Sequence, residues 1–320
     1  MSPGDVIDPG AADAQATAIG PNAFRVEVPV ASFRTVFLEM VFSPKGPDTV
    51  STGEPLNVLG TGTGFFYRVN GQDFILTARH NVTGHHWETN EFLCQNYSVE
   101  PTHLRISLRG APPPEGYSTT PGSTRLLIPF GQCLIPLIDD EWNPTWLEHP
   151  EYGPLIDVAA VKFTNPDPDH LTVVAWEPQE DEGAESKLWV TQDISIAGYP
   201  FGLTSGPALP LWIRATVASE PGLTYYHRNR SLPAFLVDAR TRKGQSGSPA
   251  ILFRLPSTPI PSDDGVFRYT LGTHSRLLGV YTGRVHPKES DLGFVWHIKE
   301  AEDICRGGVP GDLRRVAFEL

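Results

Sequence analysis

The chain has 320 residues, 40% of them apolar, and 25 Lys+Arg against 37 Asp+Glu, for a net charge of −12. That apolar content is ample for a buried core in one large domain or two small ones. An acidic chain with no basic run is poorly suited to a phosphate backbone, so nucleic acid is not an expected partner. No apolar run reaches the roughly 18 residues that a membrane span needs. Residues 1–23 lack the basic start and apolar stretch of a signal peptide, so the expected address is cytoplasmic.

Taken in chain order, residues 1–23 are rich in Ala, Gly, Pro and Asp and read as a flexible tail. Residues 33–42 give a first strand-like run. Two more runs, 65–69 and 73–76, flank Asn70-Gly71, a pair that tolerates positive φ and marks a tight hairpin. This hairpin delivers the chain to His80. Prolines then punctuate residues 111–154, which separate two strand-rich regions and are expected to include an insertion loop. Strand character returns over 155–163, a turn follows at 165–169, and the acidic stretch 181–186 reads as a connection. Short apolar runs at 194–200, 211–217, 234–237, 250–253, 277–281 and 293–298 are spaced by turns, the pattern of an all-β barrel or sandwich. Residues 297–305 suit a short closing helix.

Three cysteines, Cys94, Cys133 and Cys305, are odd in number and widely spaced, which predicts neither a disulfide framework nor a zinc knuckle. Asn81, Asn96 and Asn229 each begin a glycosylation sequon, expected to go unused without a signal peptide. His80, His85 and His86 cluster in sequence, but adjacent histidines chelate one ion poorly and no further ligand is evident. No metal or cofactor is expected.

Three segments carry chemistry. His80 follows Leu76-Thr77-Ala78 at a strand end, where an imidazole can face a cleft and shuttle protons near neutral pH. Asp157 lies in the apolar run Leu155-Ile156-Asp157-Val158-Ala159, where a carboxylate is costly unless bonded, and His80 would supply that bond. Asp139 and Asp140 are rivals, but they lead into a polar loop where solvation suffices. Ser246 lies in Gly244-Gln245-Ser246-Gly247-Ser248-Pro249, with glycines that allow a sharp turn and a close carbonyl approach. The N–H groups of Gly244 and Ser246 can point at a developing oxyanion. A serine hydroxyl needs a base, and the base an orienting group.

In this order the segments resemble those of chymotrypsin-fold (trypsin-like) serine peptidases, most closely the bacterial, disulfide-poor branch that includes glutamyl endopeptidases. The likeness covers roughly 58–300 and extends to Gly62-Thr63-Gly64-Phe65 and Gly198-Tyr199-Pro200. It implies two six-stranded antiparallel β-barrels with a short C-terminal helix. Residues 24–180 would supply His80 and Asp157, and residues 181–320 would supply Ser246. It also implies a protein or peptide substrate and a primary pocket built from Arg240, Thr241, Tyr281, Thr282, Gly283 and Arg284, with Thr282 bonded to Asp157. The nearby Arg242, Lys243 and His286 suggest cleavage after acidic residues. Two positions depart from the family pattern. Arg79 stands where Ala or Gly is common, and Gln245 stands where an acid pairs with a freed N-terminus in the digestive enzymes. The rival expectation is a latent or non-enzymatic binding module on the same fold, and a regulatory partner is left open.

Overall fold

The Asn70-Gly71 turn organises the first half of the molecule. Both residues adopt positive φ, 52° and 79°, and they join strand Asn57–Val69 to strand Gln72–Thr77 in antiparallel register. The computed structural model describes residues 26–44, 56–109, 117–119, 130–178, 188–205, 208–261, 266–269, 271–285, 290–313 and 316–318. The expected tail over 1–23, the connection at 181–186 and His286 lie outside these residues.

The hairpin sits in the middle of an eight-stranded sheet. On one side lie Ala159–Phe163, Trp146–Glu148 and Val309–Pro310; on the other lie Thr35–Phe42, His103–Arg109 and Phe130–Pro136. In the second half six strands close on themselves. Their order is Asp193–Gly198, Leu211–Val217, Ala234–Ala239, Leu292–His297, His274–Arg284 and Ser248–Arg254. One closed six-stranded barrel is therefore present, while the other half has eight strands whose pairing does not close among the described residues. The proline-rich stretch explains part of this difference. Part of it is expected as an insertion loop, for which residues 110–116 and 120–129 lie outside the described residues, while Phe130–Pro136 and Trp146–Glu148 pair into the sheet. Among the described residues, Pro136 ends its strand and Pro144, Pro150 and Pro154 lie between strands, where a missing N–H does no harm. The run 33–42 also divides, into a short helix Val30–Arg34 and the strand Thr35–Phe42.

Each half has its own apolar cluster, and a third joins them. Phe65, Tyr67 and Trp176 from the sheet meet Ile251, Val280 and Trp296 from the barrel, all at most 4% exposed. The helix Ile298–Gly307 completes this layer by burying Ala301, Ile304 and Cys305. Glu302 on the same helix accepts the Tyr67 hydroxyl, and burial pushes that phenol's pKa well above its usual value. The three cysteines are free thiols. No helix among the described residues is long and apolar enough to cross a membrane.

Candidate active site

Strand register brings His80 and Asp157 together. Thr77 pairs with Ala159, so the residues just beyond these strand ends, on His80's side and on Asp157's, leave the sheet side by side. Arg79 N–H donates to the Asp157 carbonyl at 3.2 Å. His80 lies in the short helix Arg79–Thr83, which follows the hairpin directly. Its backbone N–H donates to Asp157 Oδ1 at 3.0 Å, and its Nδ1 lies 2.8 Å from Asp157 Oδ2. Both carboxylate oxygens thus grip one residue, and Asp157 is only 3% exposed. With the proton on Nδ1, the Nε2 lone pair is free to face the cavity. Asp139 instead accepts the N–H groups of Glu141 and Asn143 in an exposed turn, and those bonds hold its carboxyl below the usual range.

The Ser246 turn is fixed from the sheet. The Ser246 carbonyl accepts Thr63 N–H and Asn81 Nδ2–H, both at 2.9 Å. Thr63 Oγ1 donates to the Gly244 carbonyl at 2.8 Å, and Thr77 Oγ1 donates to the Thr63 carbonyl at 2.7 Å. Two glycines make this approach possible. Gly247 has φ +88°, and a Cβ there would lie 2.0 Å from the Thr63 carbonyl oxygen. Gly244 has φ +98°, and a Cβ there would lie 2.4 Å from the Tyr199 oxygen. Phe201 N–H donates to the Lys243 carbonyl at 2.7 Å. In a trans peptide the N–H points opposite to the carbonyl, so this bond turns Gly244 N–H away from Phe201. Gln245 is fully buried, and its Oε1 accepts Arg242 N–H at 2.8 Å, bracing the turn from inside. Among the described residues the Ser246 hydroxyl forms no hydrogen bond with His80, so the two share a cavity wall rather than a bond. Such bonds commonly tighten only when substrate is present.

Arg79, the departure beside His80, is 4% exposed and pairs with the fully buried Glu148 at 2.9 Å. Arg79 also donates to the Asp312 carbonyl at 3.0 Å, and Trp146 Nε1–H donates to the same Glu148 oxygen at 3.1 Å. The chain beyond the helix is therefore tied to the base of the histidine turn.

Two cavities meet at Ser246. One, of about 270 Å³, is lined by His80, Asp157 and Ser246 together with Trp87 and Phe294. The other, of about 250 Å³, shares His80, Lys243 and Ser246 and extends past Thr61 and Asn81. Of the residues expected in the pocket, Thr241, Tyr281, Thr282, Gly283 and Arg284 line the first cavity, whereas the exposed Arg240 does not. Arg240 lies just past strand Ala234–Ala239, where Thr241 N–H donates to the Ala239 carbonyl at 2.7 Å, and this tight turn leaves Arg240 exposed between buried Ala239 and Thr241. Tyr281 is bonded to Thr241, and burial raises its hydroxyl pKa to about 12. Thr282 is the extra residue of a bulge opposite Leu292–His297, and its Oγ1 accepts Trp296 Nε1–H at 3.1 Å. A bond from Thr282 to Asp157 is not present among the described residues. Arg242 and Arg284 flank a carboxylate of the chain itself, Asp291, at 3.9 and 3.5 Å.

Sequence reasoning missed the roles of Thr63, Thr77 and Asn81. The sequon at Asn81 pointed elsewhere: its side chain is 2% exposed and bonded to the Ser246 carbonyl, which leaves no room for a glycan. His85 uses both ring nitrogens, toward the Asn90 carbonyl and Glu100. His149, Glu300 and Asp303 lie within metal-binding distance of one another. There, however, His149 Nδ1 accepts two backbone N–H groups, so the neutral ring carries its proton on Nε2 and has no lone pair for an ion.

A family model described as a trypsin-like peptidase domain matches residues 62–254. No curated protein sequence matches the chain. Among solved structures, the Rv3671c protease from M. tuberculosis in its active form is 13% identical, with a TM-score of 0.41, covering 89% of this chain and 86% of that one. Its inactive form is 14% identical with a TM-score of 0.39, covering 86% and 90%.

Proposed function

The chain belongs to the trypsin-like peptidase family, and from that premise we propose that it is a serine endopeptidase using Ser246, His80 and Asp157. The observation that carries this reading is the two-point grip of Asp157 on His80 beside the cavity that holds Ser246. His80 Nε2 takes the Ser246 hydroxyl proton as Oγ bonds to the substrate carbonyl carbon. The N–H groups of Gly244 and Ser246 receive the oxyanion; one such donor is typically worth about 3 kcal/mol of transition-state stabilisation. The protonated imidazole, stabilised by Asp157, then gives its proton to the leaving amine as the C–N bond breaks. Water repeats the sequence against the acyl-enzyme and releases the acid, restoring the serine.

For selectivity, we infer cleavage after Asp or Glu. Arg242 and Arg284 already flank one carboxylate, and Lys243 lines the same cavity. A peptide library digested by the protein and by Ser246→Ala tests both levels. Cleavage by the parent alone, after acidic residues, is the expected result. Cleavage only after basic or large apolar residues removes the selectivity, and equal cleavage by both proteins removes the mechanism.

A further inference from the structure

An aromatic cluster continues the wall of the Ser246 cavity. Trp87, next to the histidine turn, lies edge-on to Phe294 at 5.6 Å between ring centroids, and both rings line the cavity. Tyr225 and His227, from the hairpin of strands Tyr225–His227 and Arg230–Leu232, approach Phe294 at 5.7 and 5.4 Å. Glu88 fixes this hairpin against the histidine side. It lies 2.8 Å from His227 Nε2 and 2.9 Å from the Arg228 guanidinium. The walls of the cluster therefore come from both halves of the fold and are held in place by charge.

One more ring lies on the cluster, and it comes from far along the chain. Phe318 packs edge-on to Trp87 at 5.2 Å and to His227 at 5.9 Å, and the Arg228 guanidinium lies 5.6 Å from its centroid. Phe318 is partly exposed, and it belongs to no helix or strand. A lone aromatic side chain from a segment outside helix and strand, seated on His227 and on Trp87, which also lines the candidate catalytic cavity, has the geometry of a bound peptide side chain. Edge-to-face packing of this kind favours aromatic over aliphatic occupants.

We propose that Trp87, Tyr225, His227 and Phe294 form a binding site for an aromatic side chain of the peptide substrate, and that Phe318 of the same chain occupies it in cis. The inference rests on the serine peptidase reading of the adjacent cavity. An incoming peptide with an aromatic residue must displace Phe318, so the chain restrains its own access to substrate. A peptide with Gly at that position gains nothing from the displacement.

Binding tests this without turnover. The Ser246→Ala protein, with and without Phe318→Ala, is titrated with acetyl-Val-Ala-Phe amide and acetyl-Val-Ala-Gly amide, followed by tryptophan fluorescence. The expected result is about tenfold tighter binding of the Phe peptide when Phe318 is removed, with no change for the Gly peptide. Arg228→Ala, which loosens Phe318 from outside, should shift binding the same way by a smaller factor. Equal affinity of the Phe peptide for all three proteins overturns the proposal. So does equal affinity of the two peptides for the Phe318→Ala protein. Absent peptidase activity in the parent protein would overturn the catalytic reading while leaving this binding result to be judged by itself.

Discussion

The Ser246 turn and the His80 turn face one cavity, but they are held by different forces. The serine turn is fixed by neutral hydrogen bonds from Thr63 and Asn81 and by two glycines that permit contact between backbones. The histidine turn rests on a buried ion pair, Arg79–Glu148, which also reaches the chain near Asp312. Neutral bonds make a turn sensitive to volume and shape. A buried pair makes it sensitive to the loss of one partner, because the other charge is then stranded in a poor solvent. One arm should thus fail by steric displacement and the other by destabilisation.

The largest expected effect is on the histidine side. Glu148→Ala leaves the Arg79 guanidinium buried without its carboxylate counter-charge, at a cost of about 3–5 kcal/mol, read as a lower urea midpoint. A loss below about 1 kcal/mol would mean that water reaches the pair and that the contrast is wrong. On the serine side, Gly247→Ala must give up either its positive φ or its contact with Thr63. Its expected cost is about 1–3 kcal/mol, with peptidase activity falling far more than stability. Thr63→Val removes the bond to the Gly244 carbonyl and costs about 1–3 kcal/mol. Its kcat should fall while KM holds, since the bond positions the turn rather than the substrate.

The smallest effect concerns pH. Burial holds the His297 pKa below its ordinary 6.5. The unfolded chain therefore binds a proton there before the folded chain does. The stability this site contributes is complete above the unfolded value and is lost as pH falls below it. Thermal melts at about pH 7.5 and pH 5.5 should show a smaller acid loss for His297→Gln than for the parent. An identical loss would place the acid-sensitive group elsewhere.

Local signals account for what the sequence made legible. Asn70-Gly71 announces its turn because only a few residues tolerate two positive φ values in succession. Asp157 stands out as a carboxylate in an apolar run, and the structure pairs it with His80. The short closing helix is also local, and it appears as Ile298–Gly307. What stayed hidden depends on register between distant segments. Arg79 is visible only as a departure; its partner Glu148 lies in a strand whose surrounding prolines suggested a loop. Asn81 reads as a sequon until Ser246 is placed against it. The hairpin with Arg228 and Asn229 at its turn, both at positive φ, carries no glycine to mark it. Arg240 is placed at the pocket by resemblance alone, whereas the tight turn after strand Ala234–Ala239 leaves it exposed.

The most direct test of the central claim is labelling by a fluorophosphonate, with the adduct located by peptide mapping. A single adduct on Ser246, absent from Ser246→Ala and greatly slowed in Asp157→Asn, is the predicted result. A folded parent protein that takes no label, or takes it equally when Asp157 is replaced, would contradict the account.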